Sequence, residues 1–163
     1  MGFKEKKLVR KIGFSLYTPE QLRKLLDKNF IPDIVQVPYN LFDRRFEGEF
    51  EMLKTLGVEI HTRSVFLQGL FFLEPNLLPA HFNRAKPLLE KLRKTFDDKA
   101  LAGQLLNFCM RNPSIDKIVI GVNQASQLAS NISHLNLSST DLNWSEFQLS
   151  DESILLPYNW PKI

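Results

Sequence analysis

Apolar positions along this chain follow two alternating rhythms. Four short runs read as strands: Arg10–Leu16 (RKIGFSL), Ile31–Pro38 (IPDIVQVP), Val58–Val65 (VEIHTRSV) and Asp116–Val122 (DKIVIGV). Between them the spacing changes to that of helices. Thr18-Pro19-Glu20 forms a helix start, with Thr18 as cap and Pro19 at the first helical position. Leu22, Leu25 and Leu26 then give an apolar face, and Phe46, Phe50, Leu53 and Leu56 repeat the spacing over Phe46–Leu56. A Leu- and Phe-rich connection, broken by Pro75 and Pro79, leads to helical stretches at Ala85–Phe96 and Lys99–Arg111. A last helix begins at Asn123 or Gln124 and carries Leu128 and Ile132. Residues 1–9 read as a helix end or leader, residues 10–135 as four strand–helix units, and residues 136–163 as a less periodic tail ending in PYNWPK. Regular alternation of this kind predicts an α/β fold with a parallel sheet.

Strand phase adds a constraint. Ile34, Gln36 and Pro38 share one face against Val35 and Val37, and Glu59, His61 and Arg63 oppose Val58, Ile60 and Thr62. A doubly wound sheet, covered by helices on both faces, has little use for Glu, His and Arg on one central strand. A barrel does, because its inward face opens onto a polar mouth at the strand C-termini. An edge strand with one wet face produces the same pattern, so phase alone leaves both readings open.

Composition narrows the class. The chain has 163 residues, 44% hydrophobic and 24% charged, as expected of one soluble globular domain. No apolar run approaches membrane-spanning length, and the basic start MGFKEKKLVRK is followed by neither an apolar stretch nor a small-residue cleavage site. The expected location is cytoplasmic. A single cysteine, Cys109, excludes an internal disulfide and a multi-cysteine metal site, and its setting in LLNFCMR suits a buried, inert thiol. The net charge of +3 is local: residues 1–11 sum to +4, so the rest sums to −1. That favours a solvated basic helix end over a nucleic-acid surface. No GxSxG elbow, phosphate-loop glycine pattern or HExxH is present.

Four segments, KIGFSLYTPEQL, DIVQVPYNLFDRR, VEIHTRSVFLQGL and IDKIVIGVNQASQLASN, resemble in order and spacing the fifth to eighth strands of the aldo/keto reductase family, with the helices that follow. The closing PYNWPK resembles the family's C-terminal tail, and the resemblance runs from about Val9 onward. It implies a partial (β/α)8 TIM barrel, the last four β/α units plus the tail, because a whole barrel takes about 250 residues. The family reduces carbonyls with NADPH, and its Asp, Tyr, Lys and His tetrad comes from the first half, which has no counterpart here. There a tyrosine of lowered pKa, coupled to lysine and aspartate, donates the proton, and histidine orients the carbonyl. Tyr17, Tyr39 and Tyr158 match other parts of the pattern and His61 lies on the strand matched to the seventh, so no catalytic residue is assigned.

The same resemblance implies a cofactor site. Ser15 and Gln36 match residues that hold the nicotinamide carboxamide, with Leu16 standing where the family often has asparagine. Arg63 falls where many members stack an aromatic ring on the nicotinamide, and a planar guanidinium can stack too. Ser64, Phe66 and Gln68 match the stretch along the pyrophosphate. Gly121 and Asn123 begin the loop and helix around the adenosine phosphate, and Gln127 and Asn131 match adenosine contacts. Many members place a lysine or arginine there for the 2′-phosphate, whereas GVNQASQLASN has no cation. The implied cofactor is therefore NADP, with NAD as an alternative. The implied function is a reductase half that is inactive alone and pairs with an N-terminal half or with itself, its small carbonyl substrate belonging to the complete enzyme. A non-catalytic nucleotide-binding or assembly half-barrel is the alternative. Around the substrate pocket, Phe71, Phe72 and Trp160 are wall candidates, against a reading as core or tail packing.

Overall fold

The structure is a computed structural model that describes residues 2–135 and 142–161. The first six residues of the expected tail, 136–141, lie outside the described residues, as do Met1 and residues 162–163. Four strands, β1 (Gly13–Ser15), β2 (Ile34–Pro38), β3 (Glu59–Arg63) and β4 (Lys117–Ile118), form one parallel sheet in the order β1-β2-β3-β4. In a doubly wound sheet the order reverses at a switch point; here each strand simply adds beside the last, as in a barrel. β3 has neighbours on both sides, which removes the edge-strand explanation for Glu59, His61 and Arg63.

The two faces of the sheet differ as the phase predicts. Val35, Val37, Ile60 and Thr62 are buried, whereas Ser15, Gln36, Glu59, His61, Arg63 and Lys117 lie on the more open face. The buried face packs into one core with Leu22 of α1 (Pro19–Leu26), Phe50 and Leu53 of α2 (Phe50–Thr55), Leu89 and Leu92 of α3 (Lys86–Thr95), and Leu101 and Leu105 of α4 (Asp98–Met110). Helix α5 (Ala125–Ser133) follows β4, and the tail adds the short α6 (Glu152–Leu155), which buries Ile154 and Leu155. An open sheet with helices over one face is half of a (β/α) barrel.

Several expected boundaries move. The strands are shorter than the apolar runs, β4 most of all. Among the described residues its backbone pairs only with β3, through Asp116 N–H to Ile60 O at 2.9 Å and Val119 N–H to Thr62 O at 2.7 Å. Ser64, at φ +64°, turns the chain away directly after β3, so the residues beyond Val119 find no backbone there to pair with. The helix expected over Phe46–Leu56 divides into a 3-10 turn at Glu47–Glu49 and α2. The Pro-broken connection holds three further 3-10 segments, Leu67–Phe72, Pro75–Leu77 and Ala80–Phe82. The expected helix end in residues 1–9 is a set of turns, with Lys7 at φ +57° preventing propagation. Leu128 and Ile132, expected as the apolar face of α5, are exposed, and Asn131 is buried instead.

Helices α4 and α5 meet at Gly103. A Cβ there would stand 2.4 Å from the carbonyl oxygen of His134. In a helix interior, alanine normally stabilises by about 1 kcal/mol over glycine; here the contact reverses the sign. Gly103→Ala is expected to lower stability by roughly 1–3 kcal/mol, measured by urea denaturation.

Candidate functional site

The C-terminal ends of β3 and β4 open into a groove of about 990 Å³. One wall is the loop after β3, including Ser64, Phe66, Leu67, Gln68, Gly69 and Phe72; the other comes from α4 and from the loop and helix after β4. The β3 loop is held in an unusual shape. Ser64, Leu67 and Gln68 have φ of +64°, +43° and +53°, and Gly69 follows at +85°. Three non-glycine residues in the left-handed region cost of order 1–3 kcal/mol each and persist only where the surroundings enforce them. Part of that enforcement is visible. Asn40, fully buried, donates from Nδ2 to the carbonyl of Ser64 at 2.9 Å, while its Oδ1 accepts from the N–H groups of Phe42 and Asp43, both at 2.9 Å. Asp43 is in turn clasped by Arg45, at 2.9 Å from Nε and 2.8 Å from Nη2.

Eight positions singled out in the sequence line this groove: Arg63, Ser64, Phe66, Gln68, Gly121, Asn123, Gln127 and Asn131. Arg63 is fixed at one end. Its guanidinium lies 4.4 Å from the centroid of the Tyr17 ring and donates to the carbonyl of Leu16 and to Ser64 Oγ, each at 3.2 Å. Gln127 turns its side-chain oxygen to the Asn123 backbone N–H at 2.8 Å, which ties the start of α5 to the loop after β4. Ser15 and Gln36 do not line the groove. They pair with each other, Ser15 Oγ donating to Gln36 Oε1 at 3.4 Å, one layer below Arg63 on the same face of the sheet.

Sequence reasoning missed Asp98, Lys99, Ala102, Ser126 and Ser130, which complete the α4 and α5 walls. The one signal for the α4 residues was Gly103, whose lack of a side chain lets that helix approach α5. The wall candidates divide. Phe71 is fully buried in the core and Trp160 packs edge-on against Phe82, 5.0 Å between centroids, while Phe72 does line the groove.

The tyrosines are engaged elsewhere. Tyr39 is buried, donates its hydroxyl to Glu47 Oε1 at 2.8 Å, and has its pKa pushed well up by burial, the opposite of what a proton donor of this chemistry needs. Tyr17 meets Tyr158 edge-on. Cys109 is buried and its thiol is pushed up to about 12 by desolvation, as expected of an inert cysteine.

Deeper on the open face, Glu59 collects His61 Nε2 at 2.6 Å, Lys117 Nζ at 3.2 Å, and Lys11. Hydrogen bonds from His61, Lys11 and Lys117 lower the Glu59 carboxyl to about 2, from a usual value of 4.5. A carboxyl depressed on folding contributes stability that is present above the unfolded value and lost as pH falls through the folded one. The unfolding midpoint is therefore expected to decline as pH drops from 4.5 toward 2. Glu59→Gln should flatten that decline; an unchanged profile in the variant would remove Glu59 from the account.

A run of consecutive parallel strands with helices over one face, and a groove at the strand C-termini, defines part of a (β/α) barrel. Comparison with known proteins agrees. The sequence matches the aldo/keto reductase family over residues 2–152, and the chain belongs to that family. Its fold is similar to that of aldo-keto reductase AKR11C1 from Bacillus halodurans, with a TM-score of 0.67 and 20% identity to the apo form, covering 89% of this chain and 52% of that one. For the holo form of that protein the values are 0.65 and 22%, covering 89% and 50%. The thermostable aldo-keto reductase Tm1743, solved with the inhibitor epalrestat, gives 0.56 and 20%, covering 89% and 48%. The chain thus spans about half the length of the solved structures it matches. No curated protein matches the sequence significantly. Among the described residues, no helix is long and apolar enough to cross a membrane.

Proposed function

We propose that this chain is a single incomplete barrel domain, the cofactor-holding half of an NAD(P)H-dependent aldo/keto reductase, and that it is inactive in carbonyl reduction alone. One observation carries the reading: eight residues chosen for a dinucleotide site converge on one groove at the strand C-termini. Its volume lies at the upper end of what ligand sites usually offer, roughly 300–1,000 Å³, and its amides, hydroxyls and backbone N–H groups suit a polar, elongated ligand. In this reading Arg63 lies at the nicotinamide end beside Ser15 and Gln36. Gln36 takes the carboxamide, for which its amide offers both donor and acceptor. Ser64, Phe66 and Gln68 follow the pyrophosphate, Gly121 and Asn123 the adenosine phosphate, and Gln127 and Asn131 the adenosine. When bound, the dinucleotide supplies the hydride for reduction of a small carbonyl compound. This chain's own residues bind and orient it, and the proton donor comes from the other half of the barrel. A cytoplasmic location fits that chemistry.

The partner is a complementary N-terminal half-barrel. β1 and β4 end the sheet, and exposed apolar side chains lie near both: Phe3, Leu8, Phe30 and Ile31 on one side, Val119, Val122, Leu128 and Ile132 on the other. Apolar surface beside unpaired strand edges favours association. Association of two copies into a non-catalytic binding assembly is the second reading, favoured by the same surfaces. The test is NADPH oxidation with a panel of small aldehydes and ketones. The chain alone should show no carbonyl-dependent rate, and addition of a separately produced N-terminal half from an aldo/keto reductase should produce one. Carbonyl-dependent turnover by the purified chain alone would overturn the proposal. A rate that stays at zero on mixing, from a chain that sediments as a dimer, would favour the second reading.

A further inference from the structure

Away from the groove, the open face of the sheet holds more cations than Glu59 can balance, and the surplus constrains what can cover that face. Lys11, just ahead of β1, and Lys117, in β4, both pair with Glu59 of β3, Lys117 at 3.2 Å. His61 Nε2 is a third group on the same carboxylate, at 2.6 Å. Two lysines against one carboxylate leave one positive charge in excess, and His61 brings no negative charge to offset it. Taking the chain as half of a barrel, as proposed above, we infer that the partner closing this sheet is a half-barrel with carboxylates on its inner face near the strand N-termini. A second copy of this chain does not fit there.

The other carboxylates at this end of the sheet are taken. Asp33 accepts from Lys4 Nζ at 2.6 and 2.8 Å and from the Ile12 N–H at 2.8 Å. Asp116 accepts from Lys54 Nζ at 2.8 Å and from the Ile60 N–H at 2.7 Å. On the stretch leading into β1, the exposed side chains of Lys6, Lys7 and Arg10 have no hydrogen-bond or ion-pair partner among the described residues, which adds to the surplus. In the open chain water screens these charges, since the Lys11 and Lys117 side chains are 51% and 65% exposed. Covering the face removes that water, and a buried ammonium then needs a carboxylate within reach. A second copy would bring two more lysines and one more glutamate, doubling the excess. Nor would its β4 side answer the basic stretch ahead of β1, because residues 118–135 contain no Asp or Glu. A partner with aspartate or glutamate facing Lys11 and Lys117 supplies the missing charge.

The experiment is a calorimetric titration of the purified chain with a separately produced N-terminal half of an aldo/keto reductase, made in two forms. One carries a glutamate at an inward-facing position of the strand that meets β4, at the layer of Lys117; the other carries a glutamine there. The native chain should bind the glutamate form roughly tenfold more tightly, and added salt should narrow the gap. Lys117→Gln should remove the difference, and Lys117→Glu should reverse it. In sedimentation without a partner, the native chain should self-associate less than Lys117→Gln, in which the excess charge is gone. Equal affinity of the native chain for the two forms overturns the inference while leaving the half-barrel reading intact. A native dimer at least as tight as that of Lys117→Gln overturns the exclusion of a second copy. Failure to bind either form overturns the half-barrel reading and the inference with it. The Lys117 side chain is exposed, and an unchanged thermal midpoint in each variant confirms that the fold survives.

Discussion

Replacing Asp43 by alanine is expected to cost roughly 3–5 kcal/mol, the loss typical of breaking a buried ion pair from one side. The Asp43 side chain is fully buried and accepts from Arg45 Nε at 2.9 Å, Arg45 Nη2 at 2.8 Å and the Arg45 backbone N–H at 3.2 Å. Without it, Arg45, itself only 13% exposed, keeps one ion-pair partner among the described residues, the half-exposed Glu152 at 2.7 Å. The damage reaches the groove. The Asp43 carbonyl accepts from the Asn40 backbone N–H at 3.0 Å, the Asp43 N–H donates to Asn40 Oδ1 at 2.9 Å, and Asn40 holds the carbonyl of Ser64. The left-handed shape of the β3 loop therefore depends on a pair that does not itself line the groove. Urea denaturation measures the loss, and Asp43→Asn, which keeps an acceptor but not the charge, should fall between the two. A cost under about 1 kcal/mol would place the pair among ordinary surface ion pairs.

Phe71→Ala is the second large effect, expected at about 3–5 kcal/mol. Phe71 is fully buried, its ring centroid 4.5 Å from that of Phe42, so truncation leaves a cavity in the centre of the core. Phe72, one residue on, is half-buried and lines the groove beside Phe66, 5.6 Å between centroids. Its replacement by alanine should cost only about 1 kcal/mol and act on ligand binding instead. At these sizes each kcal/mol moves Tm by roughly 2–4 °C, so the two variants separate in a single thermal scan. Equal shifts would show that the connection after β3 packs differently.

Much of this was legible in the sequence because side-chain alternation is a local property. Glu59, His61 and Arg63 against Ile60 and Thr62 announced a sheet with one wet face, and that face is there. What alternation could not supply was neighbours. β4 shrinks to two residues because β3 turns away at Ser64, a pairing fact no single run contains. Leu128 and Ile132 have the spacing of a buried face, yet α5 leaves them exposed. In the candidate site, strand ends and the loops after them were readable from motifs. Lys99 was not, because it reaches the groove from a helix that the chain brings back after residues 73–97, through a contact only a glycine permits.

Whether this half-barrel retains a dinucleotide site is decided by titrating the purified chain with NADPH and following cofactor fluorescence. Binding should be saturable in the micromolar range and weaken when Gln36 or Gln127 is replaced by alanine. A folded chain that leaves the fluorescence unchanged up to millimolar NADPH and NADH would contradict it.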